Sequence, residues 1–185
     1  LACSFPFLFQ TIWPVLTFGG LTLVVIIGLR IIDKKGIGLV LKGETRKSFG
    51  DIYFPISIII LWILTRDEPV FYFIPILILT FSDTVAALVG IYYGKVKYKT
   101  LEGFKSTEGS LAFFLVAFLF THIFLLLLTP IPEWGSLIIG VLIGLLLMIL
   151  ESVAWRGLDN LLIPICGYFL LKSYFFQSSL ELSYH

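Results

Sequence analysis

One carboxylate stands where a carboxylate is expensive. Asp83 lies inside the apolar run 76–94 (ILILTFSDTVAALVGIYYG), beside Ser82 and Thr84. An acid in a membrane segment is costly unless it is paired or faces water, and such residues mark functional sites by default. At helical spacing Asp83 shares a face with Ala87, Gly90 and Gly94. Small residues there let a second helix or a ligand approach the backbone. The competing reading is a helix-packing seam with a structural Asp. Downstream, Lys105-Ser106-Thr107-Glu108-Gly109-Ser110 sets a cation, an acid, hydroxyls and a glycine at the start of the next apolar run. A helix N-terminus with its unpaired N–H groups suits phosphate. Ser106 also reads as an N-cap with Glu108 in the first turn, so a capped helix is the competing account. A third cluster, Glu151 with Asp159 and Asn160, brackets a junction between two apolar runs, and capping alone explains Asn160. Several carboxylates with lysines near them are what a Mg²⁺–nucleotide phosphate site requires. Mg²⁺ takes one or two carboxylates plus phosphate oxygens, and lysine neutralises phosphate as a point charge.

Other motifs carry less. Gly90-x-x-x-Gly94-Lys95 is one residue short of a P-loop, and Val96 stands where Ser or Thr belongs. No Ser-His-Asp order, kinase loop set or metalloprotease helix motif is present. His122 is alone on an apolar run and reads as structural or pore-facing. Cys3 and Cys166 lie in apolar segments without metal-ligand spacing and read as buried, inert thiols.

The elements that must position these residues are membrane spans. Of 185 residues, 58% are hydrophobic and 14% charged, and mean hydropathy is +1.02. A soluble domain averages about 45–50% apolar and about 25% charged, so a soluble fold, a disordered tail and a disulfide-stapled fold are all excluded. Continuous apolar runs rather than alternation exclude a membrane barrel. The predicted fold is all-α, a polytopic helical bundle forming a single transmembrane domain over 1–185. Six spans are expected at 12–32, 51–65, 69–94, 107–128, 135–151 and 160–176. Residues 1–10 read as the remnant of a seventh, and 177–185 as a polar tail. A net charge of +1 gives no sign of nucleic acid as a partner. Ten of the 13 Lys and Arg residues fall in segments 30–48 and 95–105. Two spans separate these segments, so they share a side, which the positive-inside rule makes cytoplasmic. Asp83, Lys105, Glu108, Glu151, Asp159 and Asn160 all map to that half.

In this order, Asp83-x₃-Ala87-x₂-Gly90-x₃-Gly94-Lys95, the segment 105–110, then Glu151 and Asp159-Asn160-Leu161-x₂-Pro164, the chain resembles the phytol kinase and dolichol kinase group of polyprenol kinases. Arg46-Lys47-Ser48-Phe49-Gly50-Asp51 also looks like a segment preceding a span in that group. The resemblance runs from about residue 46 to 164. Its first half is shared with phosphatidate cytidylyltransferases, whose C-terminal signature this chain lacks. An N-terminal Arg-Lys and His usual in the kinases are also missing here.

The resemblance implies a kinase that moves a phosphoryl group from CTP to a membrane-embedded isoprenoid alcohol, with Mg²⁺ as cofactor. Lys95, Lys97 and Lys105 would hold phosphates, helped by N–H groups around Ser106 and Gly109, with Ser110 and Asn160 nearby. Asp83 and Asp159 would bind Mg²⁺, with Glu108 or Glu151 as further ligands. One of these carboxylates would accept the alcohol proton, and the sequence does not say which. Gly90 and Gly94 would give the headgroup room. The active site would face the cytoplasm or stroma. The rival readings are a phosphatidate cytidylyltransferase, a small-solute or ion transporter, and a structural membrane subunit.

Overall fold

The computed structural model describes residues 3, 5–9, 11–33, 49–66, 68–101 and 103–183. The cations expected at 34–47, the residues 46–48 of the kinase-like segment, and 184–185 of the tail lie outside the described residues. What is described is an all-α membrane bundle. A one-turn helix α1 (Phe5–Leu8) precedes α2 (Ile12–Asp33), α3 (Gly50–Leu64), α4 (Pro69–Leu77) and α5 (Asp83–Tyr92). A two-stranded hairpin follows, β1 (Lys97–Thr100) and β2 (Gly103–Ser106), then α6 (Thr107–Leu128), α7 (Glu133–Val153) and α8 (Asp159–Ser183). Among the described residues, Ile12–Ile31, Pro69–Tyr92, Thr107–Leu128 and Glu133–Val153 are long and apolar enough to cross a membrane. The apolar α3 has 15 residues, about 22 Å at 1.5 Å per residue. The hydrophobic faces of α2, including Phe18, Leu21 and Val24, are exposed, as lipid contact demands in a bundle of this kind.

Proline placement sets the helix boundaries. Pro69 opens α4, where its missing N–H costs nothing, and Pro132 caps α7. Pro75 lies inside α4, and three residues later the ladder widens into a π-helical segment, Ile78–Ser82. Such π segments are uncommon and gather at functional sites. This one ends at Ser82, so Asp83 opens the next α-helical stretch. Pro75 also faces α8, where a Cβ on Gly167 would meet it at 3.2 Å. Helices α6 and α7 are in close contact at two glycines. A Cβ on Gly140 would lie 3.1 Å from the Phe118 carbonyl oxygen, and one on Gly144 3.2 Å from that of Phe114. This is the small-residue route to close helix contact in a bilayer.

Tyr72, Leu61, Phe113, Leu125, Leu147, Ile163 and Leu171 are fully buried and join α3, α4, α6, α7 and α8 in one core. Cys3 and Cys166 are free and half-buried against it. His122 has a structural setting. Its Nδ1 lies 3.0 Å from the Ser136 hydroxyl, which donates to the Glu133 carbonyl. Nδ1 must therefore carry the proton given to Ser136. The Tyr168 hydroxyl donates to the Leu64 carbonyl at 3.1 Å, filling an acceptor that the end of α3 leaves open.

Two sequence expectations change. The Lys-rich segment 95–105, read as a loop, folds into a hairpin with Lys97 opposite Ser106, Tyr98 opposite Lys105, Lys99 opposite Phe104 and Thr100 opposite Gly103. Gly103 takes φ 133°, a conformation that favours glycine. The segment from 177, read as a polar tail, continues α8 as far as Ser183.

Candidate functional site

The bundle has a polar end. There the end of α2 meets the start of α3 through an ion pair between Arg30 and Asp51, with Arg30 also over the Phe49 ring. The Phe49 N–H donates to the Arg156 carbonyl at 3.0 Å, joining α3 to the turn between α7 and α8. That turn is left-handed at Arg156 (φ 54°) and Gly157 (φ 79°), so a non-glycine residue holds a costly conformation just before Asp159. Asn160 Nδ2 donates to the Gly50 carbonyl at 3.0 Å, and the Asn160 N–H donates to Asp159 Oδ1 at 3.0 Å. The start of α8, and with it Asp159, is thereby fastened to the start of α3.

Beside this junction lies a cavity of about 600 Å³, walled by α5, the hairpin, the start of α6, the end of α7 and the start of α8. It gathers Asp83, Lys97, Lys105, Glu151 and Asp159, together with Gly90, Gly94, Ser106, Gly109 and Ser110. Asp83 lies within electrostatic range of Asp159, Glu151 and Lys105. Residues separated by up to 76 positions in sequence thus share one wall-lined space.

Protein partners occupy many of these groups. Lys105 Nζ donates to the Glu151 carbonyl at 2.6 Å and also to the Glu151 carboxylate Oε1. Two of its three donors are therefore committed to α7 rather than free for phosphate. Glu151 is buried, and its other oxygen, Oε2, has no hydrogen-bond partner. A buried acceptor left unpaired is costly, and this one belongs to a cavity-lining residue. Ser106 caps α6, its hydroxyl accepting from the Gly109 N–H at 3.1 Å. The Gly109 N–H expected to reach phosphate is thereby taken. The Ser110 hydroxyl lies 2.6 Å from that of Tyr98, which donates to Ser152, which donates to the Met148 carbonyl. The chain of donors leaves Ser110 giving its proton to Tyr98.

Glu108, Lys95 and Asn160 do not line the cavity. The Glu108 carboxylate accepts the backbone N–H groups of Lys95 at 3.1 Å and Val96 at 3.2 Å and the Thr107 hydroxyl at 3.2 Å. It clips the entry of the hairpin to the start of α6, so in this structure it is not a metal-facing acid. Asn160 is a staple between α8 and α3 rather than a group facing the cavity. The glycine face also differs from the expectation of headgroup room. A Cβ on Gly90 would lie 3.1 Å from Ser106 Oγ, one on Gly94 2.7 Å from it, and one on Gly109 2.9 Å from the Ala86 carbonyl oxygen. These glycines let α5 rest directly on the capped start of α6.

The sequence reading missed Tyr98, Ser152, Phe104 and the Arg156 turn. The alternation Lys97-Tyr98-Lys99-Thr100 was the available strand signal. Among the described residues no three acidic, His or Cys side chains are close enough to form a protein-only metal cage. Asp83, Glu151 and Asp159 instead line one wall system with an orphaned oxygen, which fits a cation that takes further oxygens from a ligand.

Neither a protein-family model nor a solved structure matches this chain. A phytol kinase of Synechocystis sp. is 32% identical over 130 residues, which are 68% of this chain and 54% of that protein. The chain therefore spans about half the length of that relative. The sequence similarity and the ordered motifs agree: the chain is similar to a phytol kinase, which supports its resemblance to the polyprenol kinases.

Proposed function

We propose that this chain transfers a phosphoryl group from a nucleoside triphosphate to the hydroxyl of a membrane-embedded isoprenoid alcohol. Phytol is the first candidate, within a class that includes geranylgeraniol, farnesol and dolichol. The donor is CTP by family resemblance. One observation carries the reading: a cavity at the polar end of a membrane bundle joins Asp83, Glu151 and Asp159 with Lys97 and Lys105. Phosphoryl transfer is mostly positioning and charge stabilisation, and this is the equipment it needs.

Lys97 is exposed on β1, and it meets the phosphates together with the remaining donor of Lys105. Asp83, Asp159 and the free Oε2 of Glu151 would hold Mg²⁺, which when bound supplies neutralisation of the phosphate oxygens. Asp83 has no hydrogen-bond partner among the described residues and sits in a spanning segment. It is the carboxylate best placed to accept the proton of an alcohol arriving from the bilayer. The alcohol oxygen bonds to the terminal phosphorus, the bond to the bridging oxygen breaks, and the nucleoside diphosphate leaves. The tail of the alcohol lies along apolar helix faces. The nucleotide enters from the cytoplasm or stroma, the side to which the cation-rich segments assign this end.

The test supplies purified full-length protein with labelled CTP and phytol, and with ATP, UTP and other prenyl alcohols in parallel. The expected product is a prenyl monophosphate with release of CDP. No prenyl monophosphate from any pair refutes the proposal, and a CDP-lipid with pyrophosphate would mark a cytidylyltransferase instead.

A further inference from the structure

The polar groups of the cavity account for phosphate and metal but leave two large apolar side chains unexplained. Phe104 on β2 and Ile91 on α5 both line the cavity, yet they are 71% and 76% exposed. Neither belongs to the core cluster, and Phe104 has no ring partner among the described residues. The hairpin register explains where Phe104 stands. Lys97 opposes Ser106 and Lys99 opposes Phe104, so Lys97, Lys99 and Phe104 share one face of the hairpin, and the strand burial pattern makes all three exposed. Tyr98 and Lys105 lie on the other face and tie the hairpin to α7. Phe104 is therefore an aromatic ring held on a fastened support, at a diagonal position from Lys97. Such diagonal positions lie about 7–8 Å apart, a span that a sugar ring bridges between a base and its phosphates.

We propose that Phe104 is the stacking platform for the nucleotide base, with Ile91 closing the opposite side, while Lys97 holds the phosphates of the same molecule. The inference rests on the kinase reading and adds to it the place of the base and the residue that senses it. A flat base bound by stacking is recognised by its face, so Phe104 supplies affinity for nucleosides in general. Discrimination among bases falls to groups at the ring edge.

The experiment measures binding of labelled CTP to the chain in nanodiscs, with inorganic tripolyphosphate as competitor. Tripolyphosphate carries the phosphates without a base. Phe104→Ala is expected to weaken CTP by about tenfold, the scale of one base–aromatic stack, while tripolyphosphate competes against the remaining binding with unchanged affinity. Phe104→Trp is expected to keep CTP affinity within about threefold and to show quenched emission on binding, since stacking tolerates any large ring. Lys97→Ala is expected to weaken both ligands. Unchanged CTP affinity in Phe104→Ala overturns the proposal. Equal weakening of CTP and tripolyphosphate also overturns it, because Phe104 would then act by shaping the hairpin. If the unaltered chain binds tripolyphosphate and CTP equally, no base site exists although the phosphate site does. If it binds neither, the kinase reading itself fails.

Discussion

The Lys105–Glu151 pair makes an asymmetric prediction. The Glu151 side chain is 7% exposed and that of Lys105 28%. Lys105 Nζ is the partner found for Oε1, and Oε2 has none. Lys105→Met therefore leaves a buried carboxylate with neither oxygen paired. Stranding one member of a buried ion pair costs about 3–5 kcal/mol. Glu151→Gln leaves a lysine that keeps its bond to the Glu151 backbone carbonyl and that reaches solvent, so its cost is about 1–2 kcal/mol. Removing both charges with Lys105→Met and Glu151→Leu avoids both penalties, and such double replacements are often neutral or stabilising. In a chain of this size about 1 kcal/mol moves Tm by about 2–4 °C. The assay is thermal unfolding of the purified protein in one detergent. Lys105→Met is expected to lose about 6–20 °C, Glu151→Gln a few degrees, and the double variant to recover most of the loss. Equal losses in the two single variants, or a double variant that loses their sum, would refute the reading of a buried, mutually dependent pair.

Three further outcomes follow from the same geometry. Asp83→Asn keeps the shape but removes the charge, and is expected to lower turnover at least about tenfold, a barrier increase of about 1.4 kcal/mol; normal turnover would remove Asp83 from the site. Gly109→Ala would press a Cβ to 2.9 Å from the Ala86 carbonyl oxygen and is expected to cost about 1–3 kcal/mol, whereas Gly28→Ala, with nothing within 4 Å, is expected to be neutral or to gain up to about 1 kcal/mol; both are read by thermal unfolding. Glu108→Gln is expected to leave the Mg²⁺ concentration for half-maximal activity within about twofold while Glu151→Gln raises it. The reverse pattern would return Glu108 to the metal.

Much of the fold was readable because spanning a bilayer imposes long apolar runs whatever the sequence inside them. The span 107–128 coincides with α6, and 12–32 with α2 to within a residue. The π segment was not readable. It arises inside a uniformly apolar run, where no periodicity marks a change of ladder, yet it sets the face on which Asp83 emerges. The hairpin was also hidden, because its lysines looked like a topology signal and strands of four residues give few alternations. For the site, residue types pointed to the right end of the molecule. They could not show which side chains the protein itself would use. Ser106 and Glu108 both carry capping-type chemistry in the sequence; Ser106 acts that way in the structure, whereas Glu108 is spent on the Lys95 and Val96 N–H groups of the hairpin entry.

Three of the tethers that hold the hairpin are Glu108 to the Lys95 and Val96 N–H groups, Tyr98 to Ser110 and Ser152, and Lys105 to Glu151. They reach the start of α6 and the end of α7, and every one involves a polar group that by type alone could hold phosphate or metal. A hairpin of eight strand residues has little core of its own and needs such anchors to stay in one place. Once they are subtracted, the cavity-lining side chains that keep a polar atom without a hydrogen-bond partner among the described residues are few: Asp83, Lys97 and Glu151, whose second oxygen is buried. Asp159 joins them with one oxygen, its other being used by the Asn160 N–H. A motif of closely spaced polar residues is thus two structures in one. Part of it fixes a lysine-bearing hairpin over the end of the bundle, and the smaller remainder is free to meet a ligand. Substitutions in the first part should disturb stability and binding together. Those in the second should change binding or turnover while leaving Tm near that of the unaltered chain, and that split separates a site from its scaffold.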